Sequence, residues 1–207
     1  MKYRKLFLPS IVGIVIFSLS SCIDLETKIE LNQDGSGKLE LIYIVSSALV
    51  QLGSTASPSV NLPLPIAEGD FRQTVASIPG LTLRSYERKD EPDKSIIKAF
   101  LTFSSLSNLN TLFGGKEPVI SQTQEGADRV VEIVITSGNP GGLDPKTKEL
   151  VNAFFPTYSL KFHCILPGTV KRTSSTQSIV QGNSAQLSVP ILQVLEQQTP
   201  LKWKIYW

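Results

Sequence analysis

The sequence predicts an α+β fold: antiparallel β-hairpins alternating with about three short helices packed on one sheet, in one domain. Apolar and polar residues alternate with period two over several stretches, the signature of half-buried strands. Turn residues join these stretches in pairs. Between the pairs lie short segments with apolar residues at helical spacing, each preceded by a capping residue.

The first strand is read from Ile23, Leu25, Ile29 and Leu31, which alternate with Asp24, Glu26, Lys28 and Glu30, Thr27 lying on the apolar side. Asn32-Gln33-Asp34-Gly35-Ser36-Gly37 supplies the turn, since Asp-Gly tolerates the positive φ of a tight hairpin, and Leu39–Val45 returns. Asp70 is the expected N-cap of a helix through Ile78, which Pro79-Gly80 stops. Leu81–Arg88 and Ser95–Phe103 form a second hairpin around "KDEPDK". Ser104-Ser105 opens a second helix bearing Leu106, Leu109, Leu112 and Phe113. Val119–Gln124 and Arg129–Thr136 pair around Glu125-Gly126. Asp144-Pro145 is an N-cap and first-turn proline for a third helix that turns Leu150, Val151, Phe154 and Phe155 inward. Strands at Tyr158–Leu166, Val170–Thr173 and Leu201–Trp207 complete the fold; between Thr173 and Leu201 no element is assigned.

The N-terminal end has a different character. Lys2, Arg4 and Lys5 precede an apolar run from Leu6 to Phe17, too short for a transmembrane helix and ordered like a secretory signal peptide. Leu19-Ser20-Ser21-Cys22 resembles the lipobox of bacterial lipoproteins. That resemblance implies cleavage after residue 21, acylation of Cys22 with palmitate-class chains, and a lipid-anchored domain over 22–207 in the bacterial cell envelope, facing periplasm or exterior. Removing residues 1–21 takes three basic and no acidic side chains, leaving 17 Lys and Arg against 18 Asp and Glu, a net −1. The basic balance of the whole chain therefore belongs to the export signal and gives no basis for nucleic-acid binding. With Cys22 acylated, Cys164 has no intramolecular disulfide partner.

The stretch 41–67 contains no charged residue. It carries Leu49, Val50, Leu52, Leu62, Leu64 and Ile66, with prolines at 58, 63 and 65 that exclude a membrane span. One reading is a short helix near Ser47–Leu52 followed by an extended segment on the sheet. The other is a lid or loop whose six apolar residues border a ligand site.

Candidate chemical sites fare poorly. Aligning Lys146-Thr147 with a phosphate loop places Pro140 and Pro145 where glycine N–H groups must cradle phosphate. "NQDGSG" opens like a calcium loop, but Tyr43 stands where the bidentate glutamate belongs. His163 is the only histidine, and strand alternation sends it away from the face of Leu160, Phe162, Cys164 and Leu166. No Cys-His dyad or zinc set can form there. Asp90, Glu91 and Asp93 read as turn charges, and Glu26 and Glu30 as a polar strand face. The expectation is a non-enzymatic protein without cofactor. Leu201, Trp203, Ile205 and Trp207 form either the core side of a last strand or, with Lys202, Lys204 and Tyr206, a headgroup contact.

"Cys22-Ile23-Asp24" running into a strand, "DGSGKLEL", "FSSLSNLNTLF" and "ILPGTV" at 165–170 resemble the LppM-like family of bacterial lipoproteins. The resemblance implies an α+β domain with a hydrophobic cavity that binds lipid or glycolipid. The expected role is lipid or hydrophobic-ligand binding at the membrane, with docking of an envelope protein as the alternative.

Overall fold

In the computed structural model the described residues are 25–46, 67–114, 117–154 and 158–207. The elements are β1 (Leu25–Leu31), β2 (Gly37–Ser46), α1 (Glu68–Ala76), β3 (Leu81–Asp90), β4 (Lys94–Phe103), α2 (Leu106–Phe113), β5 (Ile120–Glu125), β6 (Asp128–Thr136), α3 (Pro145–Phe154), β7 (Ser159–Ile165), β8 (Arg172–Thr173), β9 (Ile179–Gln181), β10 (Ser184–Pro190), α4 (Ile191–Glu196) and β11 (Leu201–Tyr206).

The class is α+β and strand-dominated, but the strands form two sheets where the sequence suggests one. Sheet A runs β3-β4-β2-β1-β7-β10-β9 and sheet B runs β5-β6-β11-β8. A seven-stranded sheet presents more apolar face than short helices can cover, so a second sheet takes part of it. The pairing is also not purely antiparallel: β1 lies parallel to β7, Ile29 opposite Cys164. Such a pair requires a long crossover, here everything from β2 to α3.

One apolar row crosses sheet A: Leu83, Leu101, Leu39, Ile29, Cys164 and Ala185 lie side by side. Sheet B contributes Trp203, Ile133 and Ile120 in register. Both sets belong to the same buried cluster except Leu83, which is partly buried and packs against it. Trp203 and Ile205 are fully buried, so the last strand uses its apolar side as core and offers no tryptophan there to a headgroup layer.

The first hairpin turn is as the Asp-Gly signal suggests. Gly35 takes φ +81°, and the Asp34 carboxylate accepts bonds from the Ser36 hydroxyl and backbone N–H. The N-cap of α1 is Ala67, not Asp70, which lies one turn inside, where its negative charge still favours the helix N-terminus. Phe71 of α1 stacks against Tyr43 and Tyr86, ring centroids 6.4 and 5.6 Å apart. Tyr86 reaches this side because a bulge in β3 leaves Arg84 unpaired between Leu83 and Ser85, reversing the alternation.

Ser105 caps α2 as expected. Asn108 joins in, its Oδ1 accepting from the Ser105 N–H at 2.9 Å and its Nδ2 donating to the Pro79 carbonyl at 2.7 Å. Asp144 accepts the Thr147 N–H at the start of α3, and Val151 is buried. The side chains of Leu150 and Phe154, and Phe155 altogether, lie outside the described residues. The strands β9 and β10 and a fourth helix, α4, fill the unassigned stretch between Thr173 and Leu201.

Candidate functional site

Cys22 and the six apolar candidates Leu49, Val50, Leu52, Leu62, Leu64 and Ile66 lie outside the described residues, as do residues 1–21. A site nevertheless emerges among the described residues, at the end of the molecule where β1 begins. There the two sheets leave a cavity of about 550 Å³ between them, within the size range of small-molecule sites.

Sheet A forms one wall. The parallel pairing sets Leu25 beside Leu160 and Thr27 beside Phe162, and Ile29 closes the inner end. Sheet B forms the opposite wall with Ile120, Ile133, Val134, Ile135 and Thr136. Alternation alone would turn Val134 away. On β6, however, Thr136 pairs with Leu201 and Val134 with Lys202, so Ile135 is an extra, bulged residue. A bulge twists its strand and re-aims side chains, which accounts for the successive residues Ile133, Val134, Ile135 and Thr136 lining one space. Thr136 Oγ1 accepts the N–H of Gly138, whose φ of +80° carries the chain away from the rim.

The third wall comes from the end of α2 and the segment that follows it: Phe113, Gly114, Glu117, Pro118 and Val119. Asn110 fixes this wall. Its Nδ2 donates to the Ile120 carbonyl and its Oδ1 accepts the Ile120 N–H, both at 2.9 Å. Val119 extends the ladder by accepting the Val134 N–H at 2.8 Å. Glu117, Pro118 and Ser137 are exposed and mark the mouth, whereas Ile29, Ile120 and Ile133 at the inner end are buried.

The described lining offers apolar contact above all. The lining is mostly aliphatic and aromatic, with Glu117 the one titratable group among the described lining residues. Cys164 faces the core as the alternation requires, 1% exposed, and burial pushes its thiol up to about 12. A thiol that resists ionisation is a poor nucleophile. His163 points the other way into a groove with Glu26, Lys161 and Gln186; partial burial, then the charge of Lys28, holds its pKa below the usual imidazole value. Among the described residues no three His, Cys, Asp or Glu side chains gather into a metal-binding set. No helix among them is long and apolar enough to cross a membrane.

Leu25, Thr27, Ile29, Leu160 and Phe162 have the sequence signal of a core face, and Phe113 that of a helix, and none is recognisable there as a site residue; Gly114, Glu117, Pro118 and Ser137 carry no such signal. A lining residue and a core residue have the same period-two signal, so nothing local marks the difference.

No family model and no curated protein matches the chain. Among solved structures it is similar to the folded domain of the LppM protein of Mycobacterium tuberculosis, determined by NMR, with 12% identity, 89% of this chain and 88% of that chain covered, and a TM-score of 0.47.

Proposed function

We propose that this chain is an exported, lipid-anchored protein of the bacterial cell envelope that holds a lipid or other hydrophobic molecule between its two sheets, without catalysis. The cavity of about 550 Å³ with Leu25, Ile135, Leu160 and Phe162 in its walls carries this reading. An open apolar space of this size forfeits dispersion contacts and apolar burial unless something fills it. Its position adds support. Leu25 is three residues from Cys22, a span of at most about 11 Å, so acylation of Cys22 holds the mouth close to the bilayer. In this proposal Leu49, Val50, Leu52, Leu62, Leu64 and Ile66 border the same ligand.

Filling the cavity tests the reading. Ile135→Trp and Leu160→Trp, at partly buried wall positions, are expected to lower affinity for a fluorescent fatty acid about tenfold or more while leaving the melting temperature within a few degrees, since no packed core is displaced. Undiminished affinity in both variants would overturn it.

A second reading rests on a different feature. Ile179 and Val180 are 58% and 41% exposed on β9, the last strand of sheet A. An apolar edge strand suits strand addition by an envelope protein. Cross-linking to one stoichiometric partner that Ile179→Lys abolishes would favour this reading.

A further inference from the structure

We infer that the cavity accepts one acyl chain, so that its ligands are single-chain amphiphiles and two-chain lipids are excluded; this deepens the binding reading above and rests on it. Volume is the first ground. An apolar protein cavity of about 150 Å³ holds the six carbons of benzene, about 25 Å³ per heavy atom. By that ratio about 550 Å³ holds roughly 20 heavy atoms. That is one chain of about 16–18 carbons with the first atoms of its head; two such chains need about 800 Å³ or more at the same packing.

Shape is the second ground. The lining is buried at Ile29, Ile120 and Ile133, each no more than 3% exposed. Glu117 and Ser137 meet solvent at the mouth. A tail enters and a polar head stays at the rim. Enlarging the cavity for a second chain would move α2 away from β5 and break both hydrogen bonds between Asn110 and Ile120. Partly buried bonds of that kind resist such a movement because each leaves a group that loses its partner.

The test uses the full lipidated chain on phosphatidylcholine–phosphatidylglycerol vesicles. Two photoreactive probes carry the same diazirine-bearing acyl chain and the same head: lysophosphatidylcholine and phosphatidylcholine. After photolysis, labelled peptides are mapped by mass spectrometry. The lyso probe is expected to label the peptides holding Leu25–Leu31, Asp128–Thr136 and Ser159–Ile165, saturating at one probe per chain. The two-chain probe labels them about tenfold less or lower, since a second chain finds no room in the cavity. Labelling by the lyso probe that arises only in Cys22→Ser assigns the single chain to the protein's own anchor, and supports the one-chain capacity. Equal labelling of these peptides by both probes would overturn the inference and leave the binding reading standing. No labelling by either probe, in wild type and Cys22→Ser alike, would overturn both.

Discussion

Phe162 of sheet A and Trp203 of sheet B meet across the interior with ring centroids 6.5 Å apart and planes inclined at 52°. This contact joins the core to the cavity, because Phe162 also lines the cavity wall. Trp203 is fully buried, and its indole Nε1 donates to the Ser178 Oγ at 2.9 Å. That bond fastens the segment leading from sheet B to the β9 edge of sheet A. Trp203→Ala is expected to cost about 3–5 kcal/mol in urea unfolding. Ser178→Ala, which strands a buried donor, costs about 1–3 kcal/mol. A Ser178→Ala protein as stable as wild type would contradict the role assigned to this bond.

Asn110 holds the α2–β5 wall through two backbone bonds. Asn110→Ala should cost about 1–3 kcal/mol and also weaken ligand binding. Asn108→Ala removes a comparable set of bonds at the other end of the helix, to Ser104, Ser105 and Pro79, away from the cavity. It is expected to destabilise without that loss of affinity. Parallel titrations of the two variants with one fluorescent fatty acid separate wall from scaffold.

Cys164 provides a probe of opening. Burial raises its thiol from 9.0 to about 12, so between those values the native chain keeps a proton that the unfolded chain releases. The contribution to stability is therefore complete below about pH 9 and is lost as pH rises toward 12. Thiol reagents should react with a Cys22→Ser protein only as fast as it unfolds. Cys164→Ala should flatten the alkaline fall in stability. Rapid labelling under native conditions would contradict the buried placement.

At low pH the sign reverses. Asp34, Asp90, Glu91, Glu125, Asp128 and Asp144 all have carboxyls held below their ordinary values, chiefly by side-chain hydrogen bonds from Ser36, Ser95, Lys89, Lys204, Lys171 and Thr147 respectively. Depressed carboxylates stabilise the fold above their unfolded values of 3.8 to 4.5 and lose that effect as pH falls through the folded values. Asp34, Asp90, Glu125 and Asp144 are exposed and Glu91 and Asp128 half-buried, so the loss is expected to be gradual and to shrink in high salt. Thermal scans from pH 6 to about pH 2 at two salt concentrations check this.

Much of the fold is legible in local sequence. The hairpins at Asn32–Gly37 and Glu91–Asp93, the caps at Ser105 and Asp144, and the inward set Trp203, Ile205 and Trp207 all follow from alternation and capping chemistry. What escapes is non-local. The division into two sheets depends on β1 finding β7 across more than a hundred residues, and no window contains both. Ala185, Leu187 and Val189 do alternate, but short strands among Ser and Gln give a weak apolar signal. The bulges at Arg84 and Ile135 are set by the partner strands. The cavity is hardest to read because Leu25, Leu160 and Phe162 occupy ordinary core-face positions; only the spacing between the sheets leaves them a space to line.

The most direct test of a filled cavity is native mass spectrometry of the full chain, released from vesicles and compared with its Ile135→Trp variant. The expected wild-type species carries one additional mass in the lipid range beyond any acyl chains on Cys22, lost on organic extraction and missing from the variant. A wild-type protein that carries no added lipid mass after exposure to vesicles, or a variant that carries as much as wild type, would contradict it.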